Sequence, residues 1–441
     1  MKGVLERLFR LGENGTTVRR ELLGGATTFM TMSYIIFVQP AVLGAAGMDR
    51  GAVMVATCLA SALATLLTGL LARYPIAQAP AMGHNIFFAV VVCGTMGYTW
   101  QVALGANFIS GMVFLVLALA GIWGRVVAAV PAALKYGIAV GIGLLIALIG
   151  LEYGGLVVGS PGVLVGLGDL GSPPALLALF GLALTAVLLV LRFPGAILAG
   201  ILATAAAGLP FGIVKFHGLT APVPSLAPTF LKLDIPGAIR SGLIPVVFVF
   251  LLLDVFDAIG TLIGVGESGG FLKDGKLPRA DQAMLADAAG TVGGVLLGTS
   301  TVSSYIESVT GIAQGARTGL ANVVTSALFL GALFFGPVAE MISGEVAYKG
   351  LALRPVIAPA LIIVGSMMMK CVKSIEWDDL TEAIPAFLSI VIMPLTLSIT
   401  EGISFGLISY VVLKAVAGKG RQVHWLIYAL AALCVLRYAL Q

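Results

Sequence analysis

Asp254 and Asp257 stand three residues apart in LLLDVFDAIGTLIG (Leu251–Gly264), a stretch otherwise apolar enough for a membrane helix. At i and i+3 the two carboxylates share one helix face, and Thr261, four residues past Asp257, continues it. An ionised acid at the centre of a spanning helix costs about 2.5–3.5 kcal/mol on an insertion scale. The bland explanation is a pair with a Lys or Arg of a neighbouring helix, but most Lys and Arg of this chain lie at the ends of apolar stretches. A third acid, Glu307, follows the hydroxyl-rich run Gly298-Thr-Ser-Thr-Val-Ser-Ser304. Asn85 sits early in the apolar piece of RYPIAQAPAMGHNIFF (Arg73–Phe88). It can bind a ligand, or it can serve as interhelical glue. His84 before it is read as a side chain satisfied by a neighbour in preference to a proton relay.

A dry cavity favours the neutral form of a carboxyl group. Asp254, Asp257 and Glu307 are therefore candidates to carry a proton across. An ionised carboxylate also accepts hydrogen bonds on two oxygens. Two or three such groups around one cavity suit a small neutral ligand with adjacent N–H donors, moved together with a proton, and would repel a simple anion.

The elements that must position these residues are membrane spans. Of 441 residues 59% are hydrophobic and 10% charged, with a mean hydropathy of +1.06; soluble proteins carry about 25% charged residues. The expectation is an all-α polytopic membrane protein in a lipid bilayer. The net charge of +4 comes without a basic stripe and interleaved aromatics, so nucleic acid is not an expected partner. Cys58, Cys93, Cys371 and Cys434 lie in apolar stretches without a C-x-x-C pair or a His cluster. They are read as buried free thiols; no metal, disulfide or cofactor is expected. No secretory signal is expected either, because no small-residue cleavage site follows the amphipathic N-terminal stretch.

Windows of about 17–25 apolar residues give fourteen spans, the first near 20–43, the third near 80–97, the eighth near 240–266, the tenth near 300–315 and the last near 401–417. A fifteenth stretch, 423–440, remains. The Lys/Arg distribution puts the N-terminus, with Lys2, Arg7, Arg10, Arg19 and Arg20, in the cytoplasm. Alternation then puts Arg73, Arg125, Arg192, Lys273, Lys276, Arg279, Arg317, Lys370, Lys373, Lys414, Lys419 and Arg421 on the same side, and the loop 152–172, free of Lys and Arg, outside. The loop 214–239, with Lys215 and Lys232, fits least well. Spans three and ten look broken, the former by Pro75 and Pro80, the latter by its hydroxyl-rich run. Each break lies roughly 60 residues into its half if the halves begin near Arg20 and Arg240. Seven spans per half would invert the second half, and interrupted segments at matching places in inverted halves point to a transporter's central site. Two short extended pieces there are expected to pair with each other, since bare backbone is not tolerated at membrane depth.

APAMGHNIFF, DVFDAIGTLIG and GTSTVSSYIESVTGIAQGARTGL, with TTFMTMSYIIFVQP near the start and IPAFLSIVIMPLTLSITEGISFGLISY near the end, resemble the nucleobase–cation symporters of the nucleobase/ascorbate transporter superfamily. They are most similar to its AzgA-like purine permeases. That resemblance implies a seven-plus-seven inverted repeat with short strands in spans three and ten. It implies a cytoplasmic segment 1–19, a core domain (20–122 and 240–336), a gate domain (123–239 and 337–418) and an apolar tail, 419–441. It implies that Asp257 and Glu307 hold the base, that Asp254 tunes the site or carries the proton, that Asn85 orients the ring, and that backbone near Ile86 and Ile306 completes the pocket, with Thr261 on the same face. The implied function is proton-coupled import of hypoxanthine, guanine or adenine across a bacterial cytoplasmic membrane, by a homodimer and with no enzymatic activity. Xanthine or uracil transport is the nearest alternative. An anion transporter of the same architecture would offer a basic or neutral site, an intramembrane aspartyl protease would set its two aspartates on separate helices, and a channel would not need a broken-helix midplane site.

Overall fold

The computed structural model describes residues 6, 8–121, 131–160, 163–193, 195–216, 218–272 and 277–439. Lys2, Arg7, Arg125, Lys273 and Lys276, used above for orientation, lie outside the described residues. The chain is mostly helical, and every apolar window named above, the tail included, coincides with helix or with a strand followed by helix. Among the described residues, six helices are long and apolar enough to cross a membrane, and shorter apolar helices accompany them.

Two compact units emerge. The first, 1–121 with 153–155 and 169–360, begins with α1 (Val18–Met32), α2 (Ile35–Ala45) and α3 (Arg50–Leu71). Thr17 caps α1 through its hydroxyl, and Asp49 caps α3 by accepting from the Ala52 N–H at 2.8 Å. Strand β1 (Gln78–Pro80) follows, then α4 (Met82–Ile86), a π-helical stretch (Phe87–Thr95) and α5 (Trp100–Leu119). After α7 (Pro173–Val190), α8 (Ala196–Gly208) and α9 (Ile235–Arg240) comes α10 (Ile244–Ser268), then α11 (Ala280–Leu297). Strand β4 (Val302–Ser304) leads into α12 (Ser308–Ala313), α13 (Leu320–Ala332) and α14 (Gly336–Ser343). A small hairpin, β5 (Val346–Tyr348) with β6 (Leu351–Leu353), ends the unit's regular structure. The unit thus includes 173–208 and 337–360 along with the segments that hold the acids.

The second unit, 122–152 with 156–168 and 361–441, holds most of α6 (Ala132–Tyr153) and the antiparallel strands β2 (Val157–Ser160) and β3 (Val163–Leu167). It also holds most of α15 (Ala358–Met368), and all of α16 (Leu380–Thr396), α17 (Ile399–Val416) and the tail helix α18 (Trp425–Ala439). Small residues let its helices close up: a Cβ on Gly141 would sit 2.6 Å from Met393 Sδ, and one on Gly402 would sit 2.1 Å from Met393 Cγ. The tail is tied down by Tyr438, whose hydroxyl donates to Glu401.

Both expected breaks are present, and they pair. Pro75 and Pro80 lack the N–H a helix needs, and β-branched Thr299, Thr301 and Val302 favour extended backbone. Strands β1 and β4 run antiparallel with Gln78 opposite Ser304, Ala79 opposite Ser303 and Pro80 opposite Val302. The Ala81 N–H donates to Thr301 O and the Tyr305 N–H to Ala77 O, both at 2.9 Å, extending the ladder at its ends. Side chains satisfy its outer edges. The Thr65 hydroxyl accepts from the Gln78 N–H and donates to Gln78 O, each at 2.9 Å, Thr291 donates to Val302 O at 2.8 Å, and Ser308 accepts from the Ala77 N–H at 3.0 Å. A two-stranded sheet among membrane helices is tolerable because its backbone groups find partners inside the protein. Behind it α3 meets α13 at a glycine crossing: a Cβ on Gly319 would lie 1.8 Å from Gly69 O.

Candidate substrate site

Three pieces of backbone converge on the strand pair: the half-helix after β1, the half-helix after β4, and α10. Each brings an expected residue, but into different surroundings.

Asn85, on α4, is fully buried. Its amide nitrogen donates to Gln39 of α2, and its amide oxygen accepts from the Ser300 hydroxyl. Gln39 in turn donates to Thr299 at 2.8 Å and to Ser300 at 3.0 Å. The cluster stitches the start of the second break to the first. Ile86, next in the chain, is completely enclosed. His84 places Nε2 2.9 Å from Asp254 Oδ1, and Ser110 of α5 donates to Asp254 Oδ2 at 3.2 Å. Asp254 therefore does have a partner that can carry positive charge, a histidine instead of the Lys or Arg weighed above.

Glu307 opens α12 as its N-cap residue, and its side chain makes no capping hydrogen bond. The Tyr34 hydroxyl, from the junction of α1 and α2, donates to Glu307 Oε1 at 2.8 Å. Tyr305 lies beside Tyr34, ring centroids 6.4 Å apart, and its own hydroxyl donates to Pro80 O at 2.6 Å. Ile306, between Tyr305 and Glu307, is 49% exposed, against 0% for Ile86. Asp257 and Thr261 are half-buried on α10. Asp257 interacts with Ser303 in the middle of β4, and its charge is felt by Glu307. The structure thus brings Asp257 and Glu307 close enough for the charge of one to reach the other, holds Asn85 in a closed network, and sets His84 Nε2 beside Asp254 Oδ1 without a hydrogen bond between them.

One acid went unnoticed in the sequence. Asp287 of α11 is buried, accepts from the Ser304 hydroxyl at 3.3 Å and lies within reach of the charges of Asp254 and Asp257. Its Oδ1 and the neighbouring Gln78 Oε1 have no hydrogen-bond partner among the described residues. The available signal was an Asp inside the ninth apolar window. Tyr34 and Gln39 were missed too, although both stand in TTFMTMSYIIFVQP. Of the four cysteines, Cys58 is buried, the other three are half-buried, and none is in a disulfide.

The geometry can be set beside known proteins. Residues 19–405 match the model of a family described as the Permease family. The chain is 42% identical to the guanine/hypoxanthine permease PbuG of Bacillus subtilis, over 98% of this chain and 99% of that one. It is 42% identical to the adenine permease AdeP of Escherichia coli, over 99% and 96%. Among solved structures, the transmembrane domain of the cyanobacterial bicarbonate transporter BicA matches with a TM-score of 0.61 at 15% identity, over 88% of this chain and 97% of that one, a likeness of fold. The chain belongs to the Permease family, the nucleobase/ascorbate transporters whose motifs it carries, and is a multi-pass membrane transporter, not an enzyme.

Proposed function

We propose that this chain imports purine nucleobases (hypoxanthine, guanine or adenine) together with protons. What supports the proposal is the proximity of two acids beside β4: Asp257 on α10, and Glu307 opening the half-helix that follows the strand, close enough for the charge of one to reach the other. Two carboxylates so placed accept hydrogen bonds from adjacent N–H groups on the edge of a flat heterocycle. They disfavour a simple anion, which keeps the bicarbonate transporter's likeness a matter of fold. The names of the relatives point to purines ahead of xanthine or uracil.

In this reading Thr261 and the Ile306 backbone line the ligand's flank. Asn85, whose amide is already engaged by Gln39 and Ser300, acts on the ring by fixing α4 and the Ile86 backbone in place. Asp254, Asp257 and Glu307 are the acids through which the proton is coupled. The chain crosses the cytoplasmic membrane fourteen times as an inverted seven-plus-seven repeat, N-terminus inside. The core domain, 20–122 with 240–336, moves against the gate domain, 123–239 with 337–418, to give alternating access, and two copies assemble as a homodimer.

The test is uptake of radiolabelled hypoxanthine, guanine and adenine into proteoliposomes, with and without an inward proton gradient. Saturable uptake stimulated by the gradient and competed by unlabelled purines, but not by uracil or bicarbonate, is expected. Uptake that ignores the gradient removes the symport, and competition by bicarbonate but not by purines removes the substrate class.

A further inference from the structure

Helix α1 and the half-helix α12 touch along one line. Glu21, Gly24, Thr28 and Thr31 stand three or four residues apart, on one face of α1. A Cβ on Gly311 of α12 would collide with Thr28 Oγ1 and Gly24 O, so the two backbones are in direct contact. The Thr31 and Thr310 hydroxyls lie 3.0 Å apart, and Thr310 also donates to Glu307 O at 2.7 Å. At one end of the line the Tyr34 hydroxyl donates to the Glu307 carboxylate. At the other end, about 20 Å back along α1, Glu21 is completely buried. Its Oε1 accepts from the Arg317 N–H at 2.7 Å, and its Oε2 from the Thr318 and Ala321 N–H groups at 3.3 and 3.1 Å. Such donors at the start of a helix have no partner within it, and Gly319, the N-cap residue of α13, has no side chain to serve them. Further bonds close the turn between α12 and α13. Arg317 Nη1 donates to Ile312 O and Ala316 O, each at 2.7 Å, and the Thr16 hydroxyl donates to Gly315 O at 3.0 Å.

We propose that Glu21 is a positioning residue for Glu307: by clamping the α12–α13 turn to the foot of α1, it makes α1, Tyr34 and α12 one rigid piece and so fixes where the Glu307 carboxylate meets the ligand. This deepens the site assignment above and rests on it. Helix α12 has six residues, too few to hold a helical shape by its own backbone bonds. Its start is fixed by β4, its flank by α1, and its end by the Glu21 carboxylate. Glu21 touches no ligand and acts only through this piece. An amide in its place keeps one acceptor oxygen but turns an NH2 group toward backbone N–H donors, which are then stranded. The turn loosens, the half-helix gains freedom at its end, and Glu307 has to be ordered again each time the ligand binds, at a cost in affinity.

The experiment has two arms on the purified full-length protein in detergent: amide hydrogen exchange over 305–321, and calorimetric titration with hypoxanthine. Both are run on the wild type, Glu21→Gln, Tyr34→Phe and the double variant. Glu21→Gln is expected to speed exchange through 308–313 as well as at 317–321, and to weaken hypoxanthine binding by about 5-fold. The double variant is expected to bind about as weakly as the weaker single variant, because both substitutions free the same piece. Faster exchange confined to 317–321, an unchanged affinity, or losses that multiply in the double variant would overturn the proposal and leave Glu21 as a cap of α13 alone. If Glu21→Gln does not fold, Glu21→Asp, which keeps the carboxylate but is one methylene short, decides by the same two readouts. A wild type that does not bind hypoxanthine removes the purine site, whereas the exchange pattern still decides whether Glu21 holds α12.

Discussion

The two breaks look alike in the sequence and differ in the fold. At the first, β1 and α4 bury everything they bring: Asn85 is bonded on both sides of its amide, His84 meets Asp254, and Ile86 is enclosed. At the second, β4 and α12 leave Ile306 half-exposed and Glu307 held by the hydroxyl of Tyr34. Related pieces of backbone have thus been given separate work. The first is scaffold, fixed by a polar network whose every broken bond would strand a partner. The second, where Ile306 is half-exposed, is the face that a ligand reaches in the function proposed here.

The largest effect that would break this contrast belongs to the ligand-facing acids. Glu307→Gln and Asp257→Asn should each lower hypoxanthine affinity by about 100-fold, since hydrogen bonds to charged groups contribute about 1.5–3 kcal/mol, with Tm close to that of the wild type. Calorimetric titration alongside thermal unfolding would show this; unchanged affinity in either variant would erase the distinction. Asn85→Leu should do the opposite. It leaves the Gln39 amide oxygen and the Ser300 hydroxyl proton without their partner, at about 1–3 kcal/mol for each stranded group, so a chemical or thermal melt should register the loss while the affinity of the folded fraction moves little. Tyr34→Phe lies between the two. Losing one hydrogen bond to Glu307 should weaken binding by about 10-fold, and a larger effect would make Tyr34 a direct ligand contact.

The smallest effect is expected far from either break. In the second unit Asp379 is held below its usual carboxylate range, first by its hydrogen bond from Lys419 at 2.9 Å and then by Thr381. A lowered native value means that this group contributes stability above the ordinary carboxylate range and loses it as pH falls through the native value. Exposed pairs are screened by water and salt, so Lys419→Ala should shift Tm slightly at neutral pH, less at high salt and not at all in strong acid. A shift as large as that of Asn85→Leu would show the exposed pair to be as structural as the buried network.

Much of this contrast was legible in the residues. Pro75, Pro80 and the hydroxyl run after Gly298 mark both breaks because each denies a helix its backbone bonds or its preferred torsions, and the i, i+3 spacing puts Asp254 and Asp257 on one face wherever α10 lies. Partnership was not legible. That His84 meets Asp254 is a contact across 170 residues of chain, set by the register of β1 on β4, which no local pattern fixes. Asp287 was lost because a hydropathy window averages one acid with mostly apolar neighbours. Tyr34 and Gln39 looked like filler in an apolar helix, and only the fold shows what their polar ends touch. Asn85 was read for its ligand chemistry ahead of its role as glue, which depends on Gln39 and on one hydroxyl, that of Ser300, from the other half.

The most direct test is the structure of the full-length protein with hypoxanthine bound. The account predicts the base lying beside the β1–β4 crossing, its N–H edge within about 3.2 Å of both the Asp257 and the Glu307 carboxylates. A base found elsewhere, or in contact with neither acid, would contradict it.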